Sequence, residues 1–138
     1  MSRQLTAIIV DDERLAREGL RLRLNDDDRF DVVAQCPSAH HALDAIEQFQ
    51  PDIAFVDIEM PGLSGLELAE LLSKNTTAVP KVVFVTAFRE FALNAFEFRA
   101  FDYLLKPFSD DRLASCLNKL VDSFFDSDVV LQHLKLDE

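Results

Sequence analysis

The fold of this chain is constrained most by five short, mainly apolar runs, each followed by a helical pattern. The runs are Leu5–Val10, Phe30–Cys36, Ile53–Val56, Val82–Val85 and Tyr103–Leu105. Their apolar residues are largely continuous rather than alternating, which is typical of parallel strands whose two faces are both covered by helices. The pattern therefore predicts a parallel sheet between layers of helices.

Five helical patterns follow the runs and predict how the strands are connected. They cover residues 15–25, 39–49, 66–72, 91–98 and 113–124. Right-handed crossovers through such helices give a doubly wound (βα)5 sheet, the flavodoxin-like α/β fold, with strand order 2-1-3-4-5. We expect residues 4–124 to form this domain and residues 125–138 to be a tail or the start of a linker.

Acidic residues follow two of the predicted strands directly. Asp11 and Asp12 end strand 1, and Asp57 ends strand 3. In an open parallel sheet, ligands bind beyond the carboxyl ends of the strands, where the strand order reverses, and strands 1 and 3 flank that point. Three clustered carboxylates repel one another unless a cation lies between them, and Mg²⁺ prefers such oxygen ligands. The sequence predicts a magnesium site.

The two remaining strand ends carry groups that suit phosphoryl chemistry. Strand 4 ends in Thr86, a hydroxyl donor, and the small side chain of Ala87 leaves its backbone N–H approachable. Strand 5 ends in Lys106, whose ammonium group can pair with a phosphate oxygen. A single acid at a strand end is commonplace, but this ordered set favours a functional site over solvated strand ends.

The whole pattern resembles the receiver domain of bacterial two-component response regulators over about residues 4–124. The residues that carry the resemblance are Val10-Asp11-Asp12, Val56-Asp57-Ile58-Glu59-Met60-Pro61-Gly62, Thr86-Ala87 and Lys106-Pro107. The resemblance implies that Asp57 accepts a phosphoryl group from a sensor histidine kinase. It implies that Mg²⁺ is held by Asp12, Asp57 and the backbone carbonyl of Glu59, with Asp11 reaching it through water.

The same resemblance assigns roles to the strand 4 and strand 5 ends. Thr86, the backbone N–H of Ala87 and Lys106 would contact the phosphoryl oxygens, and the peptide before Pro107 would be cis. Thr86 and Tyr103 would form the switch, with Tyr103 turning inward as the hydroxyl of Thr86 moves. Such a domain promotes only its own phosphorylation and dephosphorylation, so we do not expect an enzyme with an external substrate.

A narrower resemblance points to regulators that carry a LytTR DNA-binding domain. It rests on residues 12–17, 86–96 and 101–108. It implies a receiver separated from a β-rich output domain, and a naturally free-standing receiver is the alternative. The readout is expected on helix 4, strand 5 and helix 5 and would control homodimerisation. Most phenylalanines there are expected in the core, but Phe91 and Phe98 could form an exposed strip.

Charge and hydropathy restrict the partners and the location. The formal net charge of −11, with 14 scattered Lys and Arg residues, argues against direct binding to nucleic acid. No apolar run reaches the roughly 18 residues of a membrane span, and no secretion signal is apparent, so a cytoplasmic location is expected. Cys36 and Cys116 are expected to be buried free thiols, and His40 and His41 ordinary surface residues.

Three other readings of the acidic site remain. A magnesium-dependent phosphatase would carry Asp and Thr where this chain has Glu59 and Pro61. A flavodoxin would need a phosphate-binding loop after strand 1, where Asp11 and Asp12 would repel the ligand. A receiver that acts purely as an interaction module would more typically lack one of the site residues.

Overall fold

The computed structural model describes residues 3–74 and 79–136, with the side chains of Asn94, Phe96 and residues 126–136 outside the described part. The chain divides into two compact units, Gln4–Pro107 and the residues from Phe108 onward. In the described chain, no helix is both long and apolar enough to cross a membrane.

The first unit is built on one parallel sheet. Its strands are β1 (Leu5–Val10), β2 (Phe30–Cys36), β3 (Ile53–Val56), β4 (Lys81–Thr86) and β5 (Asp102–Leu105). Their order is β2-β1-β3-β4-β5, and every pair of neighbours is parallel. The predicted fold and strand order are therefore confirmed.

Helices connect the strands as the periodicity predicts. They are α1 (Arg14–Asn25), α2 (Ala39–Phe49), α3 (Gly65–Ser73) and the short α4 (Ala92–Glu97), which a 3-10 turn at Arg89–Phe91 precedes. Side chains fix two of the starts, because Ser38 accepts a hydrogen bond from the N–H of His41, and Ser64 and Glu67 form a capping box.

The second unit consists mainly of α5 (Asp110–Leu136). The helix continues beyond Phe124, where the sequence pattern predicts its end. No Gly or Pro follows Pro107, so no residue with a strong helix-breaking tendency interrupts it. The described buried residues of α5 are Leu113, Cys116, Leu117 and Leu120. Of the predicted tail, 125–138, only the side chain of Phe125 is described, and it is partly buried.

The core of the first unit corrects one expectation about α4. Phe91 and Phe98 are partly buried and pack against a cluster that includes Phe84. Phe91 ends the 3-10 turn and Phe98 follows α4, so the two rings pack against the core from either end of the helix. Among the described side chains of α4, the exposed apolar one is Leu93, which is 79% exposed.

The two cysteines are buried free thiols. Burial raises the pKa of the Cys36 thiol to about 11, although the Arg17 guanidinium opposes this effect. Cys36 is therefore neutral at physiological pH, and His40 and His41 are exposed at the start of α2.

Gly65 allows α3 to begin directly against the loop that follows β3. A Cβ atom at this position would lie 2.2 Å from the main-chain oxygen of Asp57 and 2.8 Å from the Cα of Ile58. The N–H of Gly65 donates a hydrogen bond to the carbonyl of Ile58 at 2.8 Å. The backbone that carries Asp57 is therefore packed against a position where only glycine fits.

We predict that Gly65→Ala lowers the free energy of unfolding by about 1–3 kcal/mol, because the added methyl group meets backbone that cannot move aside cheaply. The control is Gly19→Ala inside α1, where a Cβ meets nothing within 4 Å. That change should raise the unfolding free energy by up to about 1 kcal/mol. Urea denaturation of both variants measures whether the free energy of unfolding changes in opposite directions. Equal changes in the two variants would contradict the packing argument.

Candidate functional site

Neighbouring strands bring three carboxylates together at one edge of the sheet. Val10 pairs with Val56 in the β1–β3 ladder, and the N–H of Asp57 donates to the carbonyl of Val10 at 2.8 Å. Asp11, Asp12 and Asp57 each offer one oxygen, and these atoms lie within 4.8 Å of one another. Asp11 and Asp57 are buried, whereas Asp12 is exposed.

Lys106 supplies the positive charge of this cluster. Thr86 pairs with Leu105 at the ends of β4 and β5, and the N–H of Lys106 donates to the Thr86 carbonyl at 2.7 Å. The Nζ atom lies 2.8 Å from Oδ2 of Asp11 and 3.4 Å from Oδ2 of Asp57. The Lys106–Pro107 peptide is cis.

The pKa values reflect the competition between burial and charge. Burial raises the pKa of Asp57, the Lys106 ammonium partly offsets this, and the Asp11 carboxylate raises it further. Burial by itself would lower the pKa of Lys106, but its hydrogen bond to Asp11 and the charge of Asp57 leave the pKa raised. Lys106 is therefore a firmly protonated cation beside a carboxylate that is costly to ionise.

The donor set fits a divalent cation. Three carboxylates face one ammonium group, so the cluster keeps an excess of negative charge. Oδ1 of Asp57 is buried and has no hydrogen-bond partner within the described residues. An unpaired buried carboxylate oxygen is costly, and a metal ion would satisfy it. The all-oxygen ligands suit Mg²⁺.

The two predicted switch residues are linked through the main chain of Phe88. Thr86 is fully buried, and its hydroxyl oxygen accepts a hydrogen bond from the N–H of Phe88 at 3.4 Å. The hydroxyl of Tyr103 donates to the carbonyl of the same residue. The Tyr103 ring also lies 6.3 Å from that of Phe84, centroid to centroid. Sequence reasoning missed this link because it depends on the conformation of the loop after β4.

The remaining predicted site residues lie in the loops that surround the cluster. Ala87 is exposed directly after Thr86, and Glu59 is exposed two residues after Asp57. The loop containing Glu59 turns at Gly62, whose φ of +78° is in the region that favours glycine. The side chains of Asp11 and Asp57 both contact Lys106, whereas Ala87 has no polar side-chain group and could contribute only its backbone groups.

The sequence matches the family described as the response regulator receiver domain over residues 7–118. The chain belongs to this family. It is 53% identical over 116 residues to an uncharacterized response regulatory protein of Yersinia pestis, an alignment that covers 84% of this chain and 48% of the relative. It is 46% identical over 116 residues, with the same coverage, to the transcriptional regulatory protein BtsR of Salmonella typhi.

A solved structure shows the same architecture. The response regulatory domain of protein mrkE from Klebsiella pneumoniae aligns with a TM-score of 0.80 and 35% identity, covering 86% of this chain and 97% of that domain. The chain spans about half the length of the curated relatives that it matches. It is a receiver domain, the signalling module of two-component response regulators, and the sequence resemblance to receivers is confirmed.

We predict that Asp57→Asn stabilises this receiver domain at pH 7 when divalent cations are removed with EDTA. The amide keeps the shape of the side chain but removes a buried negative charge that neighbours Asp11, a gain on the order of 1 kcal/mol. Asp12→Asn is the matched control, and it should have a smaller effect because Asp12 is exposed. Urea denaturation measures both, and a less stable Asp57→Asn protein would show that the contact with Lys106 outweighs the cost of burial.

Proposed function

We propose that this receiver domain is a phosphoacceptor switch in which Asp57 takes a phosphoryl group from a sensor histidine kinase. The observation that carries the proposal is the contact between the buried Asp57 carboxylate and Lys106 within a cluster of three acids. A structural ion pair alone would have no use for two further carboxylates at that edge of the sheet.

The reaction is a phosphoryl transfer to a carboxylate. An oxygen of Asp57 bonds to the phosphorus of a phosphohistidine as the P–N bond breaks, and the bonding electron pair stays on the imidazole nitrogen. Lys106 already lies beside Asp57, so its ammonium group can offset charge on the phosphoryl oxygens without reorganisation. The Thr86 hydroxyl and the backbone N–H of Ala87 are the further donors that would contact those oxygens.

The cofactor in this proposal is Mg²⁺. Asp12, Asp57 and the backbone carbonyl of Glu59 would hold the ion, and Asp11 would reach it through water. When bound, Mg²⁺ neutralises negative charge on the carboxylates and on the phosphoryl group. The unpaired Oδ1 atom of Asp57 supports its assignment as a ligand.

The switch would act through the loop that follows β4. If the Thr86 hydroxyl turns toward a phosphoryl oxygen, its hydrogen bond with the N–H of Phe88 is lost. Because the hydroxyl of Tyr103 donates to the carbonyl of Phe88, in the next peptide group along the chain, a shift of Phe88 would also alter the position of Tyr103. Phosphorylation then changes the populations of two arrangements by the contacts that it makes in one of them.

The output would lie outside the receiver domain of residues 4–124. We propose that the chain comes from a LytTR-type transcription regulator, which the resemblance in residues 12–17, 86–96 and 101–108 supports. The similarity to the transcriptional regulatory protein BtsR supports the role in transcription. The phosphorylated receiver would self-associate through helix 4, strand 5 and helix 5. DNA would be bound by the output domain, since this chain carries a net charge of −11.

Phosphate transfer is tested by mass spectrometry after treatment with acetyl phosphate. The wild-type protein should gain the mass of one phosphate only when Mg²⁺ is present, and Asp57→Asn should gain none because the nucleophile is gone. A stable gain on Asp57→Asn would place the acceptor elsewhere. Continuous turnover of a phosphomonoester would favour the phosphatase alternative.

Self-association is tested by sedimentation with and without the phosphate mimic beryllofluoride. We expect association only with the mimic, and Leu93→Arg should weaken it because Leu93 is an exposed apolar side chain of α4. Leu71→Arg on α3 is the matched control, since Leu71 is also exposed, at 45%. If Leu71→Arg rather than Leu93→Arg weakens the association, the interface lies on α3 instead. Tight binding of random duplex DNA would overturn the domain assignment.

A further inference from the structure

Arg17 on α1 contacts the site from a side that the proposed reaction does not use. Its Nη1 atom donates a hydrogen bond to the main-chain oxygen of Asp11 at 2.7 Å. That oxygen belongs to the peptide group that joins Asp11 to Asp12. Arg17 therefore binds the backbone between two of the three clustered acids rather than either carboxylate.

The position of Arg17 is locally unfavourable. Its Nε atom is buried without a hydrogen-bond partner in the described part of the chain, which costs free energy for a charged group. The residue lies in the first turns of α1, and its side chain reaches back past the amino end of the helix, where a positive charge is disfavoured. An exposed Arg on the same helix would avoid both costs.

The contact matters because Asp11 and Asp12 are held very differently. Asp11 is fixed by the N–H of Glu13, which donates to its Oδ1 at 2.9 Å, and by Lys106 at its Oδ2. The Asp11 N–H also donates to the carbonyl of Cys36 at 3.0 Å. The exposed side chain of Asp12 makes no such contact within the described residues, so its direction depends on the peptide that Arg17 holds.

We infer that Arg17 is a positioning residue that aims the carboxylate of Asp12 at the metal site. The inference rests on the proposed function, in which Asp12 is a ligand of Mg²⁺. Partners that orient metal ligands typically change metal affinity by about 10–100-fold when they are removed. Arg suits the role because its planar group keeps a fixed geometry against a carbonyl.

The inference predicts the opposite sign from simple electrostatics. Removing a positive charge near a cation site should tighten Mg²⁺ binding, because the repulsion between the two cations disappears. Removing a positioning contact should weaken it. The direction of the change in affinity therefore separates the two effects.

The experiment is a calorimetric titration of the folded receiver domain with Mg²⁺, repeated with Mn²⁺ and electron paramagnetic resonance to count the sites. Arg17→Met, which removes the donor but keeps a long side chain, should raise the dissociation constant about tenfold. Arg17→Lys, which keeps the charge and a donor, should recover part of the loss. Arg14→Met on the same helix removes an exposed charge and should leave the affinity unchanged or slightly tighter.

Thermal unfolding in EDTA shows whether each variant is folded, and a purely structural role would lower the melting temperature without changing the affinity. Unchanged or tighter Mg²⁺ binding by folded Arg17→Met would overturn the inference. If that variant does not fold, Arg17→Lys decides, and an affinity equal to or tighter than that of the wild type would overturn the inference. If the wild type binds Mg²⁺ and the Arg17 variants bind it equally well, the inference fails and the proposed function stands. If the wild type does not bind Mg²⁺, both the inference and the proposed function fail.

Discussion

The structure depends on the confinement of three carboxylates and one ammonium group at one edge of a parallel sheet. The strand order makes β1 and β3 neighbours, so the acids that follow these strands lie close together regardless of the loop conformations. Asp11 and Asp57 are buried there, and solvent ions screen buried charges poorly. The contacts of Lys106 at 2.8 Å and 3.4 Å offset only part of the repulsion. A site that keeps an excess of negative charge is ready to bind a cation, at a cost to the stability of the metal-free protein.

The same edge of the sheet also connects the acids to the rest of the molecule. Thr86 ends β4 and lies within the site, yet its hydroxyl is engaged by the main chain of Phe88 rather than by a solvent-facing group. Phe88 in turn accepts a hydrogen bond from Tyr103. A ligand that draws the Thr86 hydroxyl out of its present position would weaken the first of these bonds, so binding and loop conformation would be linked through one residue. A contact that differs between two conformations is what allows a ligand to change their populations.

The sequence predicted features that depend on period and order, and it failed where contacts between distant elements decide. The strands and their terminal Asp11, Asp57 and Lys106 follow from apolar runs and from the position at which each run stops. The partial burial of Phe91 and Phe98, which flank α4, depends on how that segment meets the core, and periodicity alone does not determine this. Gly65 is required by the closeness of the Asp57 main chain, and no local pattern announces that closeness. The continuation of α5 beyond residue 124 could have been predicted from the sequence, because no Gly or Pro follows that position.

The two cations near Asp11 act on different parts of the same residue, and their chemistry suits the difference. Lys106 contacts the carboxylate, and its compact ammonium group on a flexible stem could follow that charge if the proposed phosphorylation moved it. Arg17 contacts the carbonyl, which carries no charge and need not move, so a planar and rigid donor suits it. If Lys106 alone organised the site, the buried Nε of Arg17, which has no hydrogen-bond partner among the described residues, would lower stability without a compensating function. The buried Nε of Arg17 is explained if the direction of Asp12, which no described side chain holds, is set by the peptide that precedes it.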